Sequence, residues 1–200
     1  MTELKSEVRS RRKGAITRQI ILFEAERSFA KMGYQQTSIT SIAETLKMSA
    51  ANIHKHFRSK LDLAYAVVEQ RLRPVQVIAG VTPKERLRAL PLNILGDLSH
   101  MSQDEPELFY ILTNILSTEN VSDIMRSRIL DACPQVIEDM ELSDAERFSE
   151  ALADIFLAVC HPAIVATTEY RVLVTRVDNI LNLMKQVMDI GASAPLAKAC

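Results

Sequence analysis

The chain has 200 residues, of which 48% are hydrophobic and 24% charged, with five glycines and seven prolines. That length buries a real core as one large or two small domains, and so few turn formers disfavour a fold of many short strands. The net charge of −1 hides an asymmetry: residues 1–60 hold 12 Lys/Arg against 5 Asp/Glu (+7), whereas residues 61–200 hold 12 against 20 (−8). A basic front end on an acidic body points to a polyanionic partner for the front end alone.

Residues 1–14 are polar, with Arg9, Arg11, Arg12 and Lys13 clustered, and read as a flexible basic arm that becomes helical only against a partner. From Ala15, the apolar residues Ile21, Ala25, Phe29 and Met32 recur at helical spacing, and Gly33 stands where a left-handed residue ends a helix. A second helix follows the Thr37/Ser38 cap and buries Ile39, Ile42, Ala43 and Leu46; a third runs from Ser49 with Ile53 and Phe57 inward. Ser59 and Asp62 form the capping pair of a longer helix through Leu63, Ala66 and Val67. Thr82-Pro83-Lys84-Glu85 is a strong helix start, and Asp104-Glu105-Pro106-Glu107 opens another. A further helix led by Ser122-Asp123 is broken near Pro134; residues 143–146 cap the next, which His161-Pro162 stops or kinks. The last helix runs from about Glu169 to Ile190, leaving 192–200 as a flexible tail. No alternating strand pattern competes, so the fold class is all-α with about nine helices.

Helices two and three are shorter than the roughly 12–15 residues a free helix needs in water, so packing must hold them. Three packed helices with a tight connection at Lys47-Met48 describe a helix-turn-helix. The third then spends Ile53 and Phe57 on the core and shows Ala50, Ala51, Asn52, Lys55 and His56 outside. Small residues allow close approach, Asn pairs with adenine, and Ala touches a thymine methyl. Thr37, Ser49, Lys60 and the Arg9–Lys13 cluster suit phosphates. His54 and His56 are two residues apart and point to different faces, which argues against a metal pair.

The ordered pattern Arg18, Ile21-Leu22, Ala25, Phe29, Gly33-Tyr34, Thr37-Ser38, Ile42-Ala43, Ser49, His56-Phe57, Ser59-Lys60 and Leu63 resembles the DNA-binding domain of the TetR family of bacterial transcriptional regulators. The resemblance covers residues 15–65 and implies an all-helical homodimer. Its N-terminal domain would bind a roughly palindromic double-stranded operator; residues 66–191 would form the dimerisation and ligand-binding domain. It places Ser49–His56 on the recognition helix. Thr37, His54, His56 and Lys60 fall at phosphate-contacting positions, and Thr40, Ala50, Ala51, Asn52 and Lys55 where bases or adjacent backbone are approached. Three departures stand out: Lys47 where the family usually has Gly, His54 where Tyr is usual, and Glu24 where Ala is common.

Beyond residue 66 the sequence speaks less directly. The last helix carries Leu173, Val177, Ile180, Leu181, Met184, Val187 and Met188, and the helix from Ser143 carries Leu152 and Phe156. This apolar width suits a helix-to-helix dimer seam, which the resemblance implies for the last two helices. Met101, Phe109, Tyr110, Asn114, Cys133 and His161 are the candidates to line a mainly apolar ligand cavity. A repressor released by a small apolar inducer is the reading the resemblance favours; an activator, or a regulator answering to a protein partner, shares the same fold. Cys133, Cys160 and Cys200 form no C-x-x-C pair, and no catalytic triad, metal-ligand set or phosphate loop is present. Neither cofactor nor metal is therefore expected. Without a signal peptide, or an apolar run of membrane-spanning length, the expected location is the cytoplasm.

Overall fold

The computed structural model describes residues 2–72, 75 and 82–193. Among them the chain is helical, as its periodicities require, with no strand. Helix α1 spans Thr2–Met32, α2 Ile39–Thr45, α3 Ala50–His54 and α4 Lys60–Arg71. Then come α5 (Pro83–Asp104), α6 (Pro106–Tyr110) with a π-helical turn over Ile111–Ile115, and α7 (Thr118–Val136). The chain closes with α8 (Ala145–Cys160), α9 (Pro162–Val165) and α10 (Tyr170–Ser193).

Helix α1 corrects the sequence reading of the first residues. The arm read as flexible is helical backbone continuous with the rest of α1. Nothing there forbids it: no proline falls within Thr2–Met32, and the single Gly14 costs only about 1 kcal/mol. At the other end, α10 continues through Gly191 to Ser193, and residues 194–200 lie outside the described part. Pro134 likewise sits within α7, two residues before its end.

The chain forms two compact units that interleave along the sequence: Met1–Arg73 with His100–Val121, and Pro74–Ser99 with Ser122–Cys200. This differs from a single boundary at residues 65/66. In the first unit α1 buries Ile21, Leu22, Ala25 and Phe29, and α4 buries Leu63, Ala64, Ala66, Val67 and Val68. Both helices are packed by the returning segment 106–116, through the buried Leu108, Ile111 and Leu112. Arg71, at the end of α4, pairs with Glu105 and, at 3.5 Å, with Glu26 of α1. The second unit is built on Leu90, Ile94, Leu95, Leu98, Ile129, Leu152, Phe156, Leu173 and Val177, all fully buried. Within it Arg128, only 8% exposed, donates to Asp97 at 2.6 Å. Burial pulls the Arg128 pKa down while that carboxylate pushes it up.

One described stretch, Ala145–Val165, is long and apolar enough by composition to cross a membrane, against the expectation that none would be. It is broken at His161, and its Leu152, Ala153, Phe156, Val159 and Cys160 are buried inside the protein. Its Glu150 and Asp154 both pair with Arg126 of α7. Its buried face is part of the core of the second unit.

Candidate nucleic-acid interface

Helices α2, α3 and α4 are each started by a serine side chain. Ser38 caps α2 and exchanges bonds with Ser41, whose N–H donates to Ser38 Oγ at 2.9 Å while Ser38 N–H donates to Ser41 Oγ at 3.0 Å. Ser49 caps α3 by accepting from Asn52 N–H at 3.2 Å. Ser59 caps α4 by accepting from Asp62 N–H at 3.0 Å, and Asp62 in turn accepts from Arg58 N–H at 3.1 Å. Caps of this kind contribute about 1 kcal/mol each, a large share for helices of five and seven residues.

The turn between α2 and α3 answers the question raised by Lys47. Its φ is +53°, the left-handed conformation that a glycine adopts without strain. Met48 N–H donates to Ala43 O at 2.9 Å, so the turn stays tight although its residue carries a side chain. Ile53 and Phe57 then anchor α3 in the core, and Arg18 of α1 lies over the Phe57 ring at 4.8 Å.

With these anchors inward, Thr40, Ser49, Ala51, His54 and Lys55 are exposed, and Ala50, Asn52 and His56 are half-buried. These eight residues lie on α2 and α3 or directly beside them. The structure adds Arg58, an exposed cation just beyond α3 that the sequence reading passed over. Its signal was present in the run His54-Lys55-His56-Phe57-Arg58, where every residue but the buried Phe57 carries a basic group. The helix itself is shorter than the span Ser49–His56, ending at His54 with Lys55 as its C-cap. Arg11, Arg12 and Lys13 are exposed on α1, and the Arg9 side chain lies outside the described part.

Two expected phosphate contacts are corrected. Thr37 is only 1% exposed, and its hydroxyl donates to Gly33 O at 2.9 Å with Ser28 O at 3.2 Å. Lys60 Nζ donates to Tyr34 O at 2.9 Å and Thr37 O at 3.0 Å, with the Tyr34 ring 4.2 Å away. Both side chains turn inward and donate to backbone carbonyls around the end of α1.

The candidates beyond residue 66 are rearranged too. Of the proposed cavity residues, Met101, Phe109, Tyr110 and Asn114 belong to the first unit and Cys133 and His161 to the second. Met101 and Cys133 are buried, whereas Tyr110 and Asn114 are exposed. His161 is occupied at one nitrogen: its Nδ1 accepts from Ala163 N–H at 3.3 Å and caps α9, while its Nε2 is buried without a hydrogen-bond partner, and burial lowers its pKa. An open groove of about 600 Å³ lies in the first unit, lined by Arg12, Ile16, Ile20, Phe23, Leu46 and Gln70 among others. None of the six candidates lines it. Of the proposed dimer residues, Leu152, Phe156, Leu173 and Val177 are fully buried within one protomer, so they form its core and no seam between copies. Ile180, Leu181 and Met184 are half-buried, and the side chains of Val187 and Met188 lie outside the described part. Among the described residues of α10, the large apolar side chains left outside are Tyr170, Val172 and Leu183, the last 60% exposed. The Cys160 thiol, beside His161, is pushed up to about 12 by burial, the opposite of an activated nucleophile.

A three-helix head with a tight left-handed turn and an outward polar, cationic face defines a helix-turn-helix protein. Residues 21–67 match the family model described as "Bacterial regulatory proteins, tetR family". No curated protein matches the chain. Its fold is shared by several solved structures. RolR without ligand is 13% identical, covers 82% of this chain and 89% of its own, and has a TM-score of 0.58. A TetR-family regulator from Streptomyces coelicolor A3 is 18% identical over 82% of this chain and 92% of its own, with a TM-score of 0.56. The fatty acid degradation regulator FadR from Bacillus halodurans is 15% identical over 82% and 93%, with a TM-score of 0.52.

Proposed function

We propose that the protein is a sequence-specific DNA-binding transcriptional repressor of the cytoplasm, acting as a homodimer and released from its operator by a small, mainly apolar ligand. The observation that carries this reading is the outer face of α3. A helix of five residues, capped by Ser49 and anchored by Ile53, presents Ala51, Asn52, His54 and Lys55 to a partner outside the protein. In this reading Thr40, Ala50, Ala51, Asn52 and Lys55 approach base edges. Ser49, His54 and His56 meet phosphates, with Arg11, Arg12 and Lys13 contributing further charge. Two such helices in a symmetric dimer would read half-sites about 34–36 Å apart, or a multiple of that, in a roughly palindromic operator.

Ile180, Leu181, Met184 and Leu183 of α10 supply apolar surface for the dimer seam. The ligand would act by binding one dimer state more tightly than another, so that the recognition helices no longer match successive major grooves. The names of RolR "without ligand" and of a fatty acid degradation regulator among the similar structures fit a regulator that answers to a small molecule.

A binding selection from fragmented genomic DNA at moderate salt tests the reading: palindromic sites should be enriched, and the reading is abandoned if none are. Asn52→Ala should then relax preference at one base position by about 1–3 kcal/mol. An unchanged selected motif would remove Asn52 from the reading surface.

A further inference from the structure

We infer that Lys60 is a positioning residue of the DNA-reading head, a clamp inside the protein that sets the start of α2 relative to α3 and does not bind a phosphate. The inference rests on the DNA-binding reading above. An ammonium group has three N–H donors. At Lys60 two go to the carbonyls of Tyr34 and Thr37, at 2.9 and 3.0 Å, and the Tyr34 ring covers the group at 4.2 Å. Two of the three donors are therefore committed inside the protein, which sets Lys60 apart from a side chain reaching outward to a phosphate.

What the clamp holds is short and consequential. Only residues 33–37 separate the end of α1 from the α2 cap Ser38. Gly33 turns the chain with φ +80°, and its N–H donates to Phe29 O at 2.9 Å. Tyr34 rests on Phe29, with ring centroids 5.6 Å apart. Thr37 points its hydroxyl back to the carbonyls of Ser28 and Gly33, so its own carbonyl faces Lys60. These carbonyls lie just past the C-terminus of α1, where the helix dipole favours a cation. Ser38 follows Thr37 directly, and the exposed Thr40 lies in the first turn of α2. Helix α3 is fixed separately, by Ile53 and Phe57 in the core. Lys60 therefore ties the N-terminus of α4 to the loop that launches α2, and sets the spacing at which Thr40 and the α3 face meet one DNA molecule together.

The test uses the full-length protein, a duplex enriched by the wild type from random sequences, and an unrelated duplex of equal length. Lys60→Met keeps much of the stem and removes every donor. It should bind the enriched duplex about 10- to 100-fold more weakly, the scale of a lost charge-assisted hydrogen-bond pair. Affinity for the unrelated duplex and the slope of log K against log salt should both stay at wild-type values, and the amides of residues 35–38 should exchange faster. Thr37→Val, which removes no charge, should reproduce the selective loss. Arg12→Met, at an exposed cation that the reading gives no base to meet, serves as the contrast, weakening both duplexes and lowering the salt slope by about 1.

Two results overturn the clamp. If Lys60→Met weakens both duplexes alike and lowers the slope, Lys60 is a phosphate ligand. If it lowers the melting temperature while the folded protein keeps its preference for the enriched duplex, its role is stability alone. Should the wild type enrich no duplex, the DNA-binding reading fails on its own account, and unchanged amide exchange at 35–38 in Lys60→Met would still sink the clamp.

Discussion

Helix α3 has five residues and buries only Ile53, whereas α8 has sixteen and buries five, Phe156 among them. The first is held by what surrounds it: a serine cap, a left-handed turn and the neighbouring Phe57. The second is held by its own depth. Its outward carboxylates, Glu150 and Asp154, are taken up by Arg126 within the same unit. A helix anchored through one buried residue and its neighbours keeps its outer face available for recognition. A helix whose stability comes from a wide apolar stripe has fewer positions to give away. The same contrast separates two inward cations. Lys60 is satisfied by loop carbonyls at the edge of the head, while Arg128 sits nearly buried against Asp97.

The largest effect expected from this contrast is at the centre of the second unit. Phe156→Ala, at a fully buried site, should lower stability by about 3–5 kcal/mol in urea unfolding. A cost under about 1 kcal/mol would show that α8 is not held by depth.

A smaller effect is expected in alkali. The Cys160 thiol is raised to about 12 in the folded protein, against about 8.5 in an unfolded chain. Between those values the unfolded state has released the proton and the folded state still holds it. Stability therefore falls as pH rises, by at most about 1.4 kcal/mol per unit. Unfolding free energies measured from pH 8.5 to 10.5 should decline less steeply for Cys160→Ala than for the wild type. Parallel declines would place the thiol outside the core.

The smallest effect belongs to the head. Lys47→Gly relieves a left-handed side-chain residue and should raise stability by roughly 1 kcal/mol, or about 2–4 °C in melting temperature. A lowered melting temperature would mean that the turn owes something to the lysine side chain.

Much of the head was legible before any coordinates. Ser49 and Ser59 could be read as caps because a hydroxyl before a short apolar periodicity has one favourable use there. Ile53, Phe57, Ile21 and Phe29 could be read as core from spacing alone. Thr37 and Lys60 were misread because residue type does not tell which way a polar side chain turns. Both belong to types that bind phosphate, and both instead donate to backbone carbonyls near the end of α1. Leu152, Phe156, Leu173 and Val177 were misread for another reason: an apolar stripe looks the same whether it faces its own chain or a second copy. The candidate cavity residues suffered most, since membership of a cavity depends on contacts between residues far apart in sequence.

By itself, the sequence determined the helical class, the sites at which the short helices begin, and the separation of a basic front from an acidic body. These are local properties, set by periodicity, capping chemistry and charge. Tertiary structure decided that the chain interleaves into two units, that Lys47 takes φ +53°, and that Thr37 and Lys60 face inward. Each of those outcomes turns on a partner distant along the chain or on a backbone group awaiting a donor, and neither is written in the residues on either side.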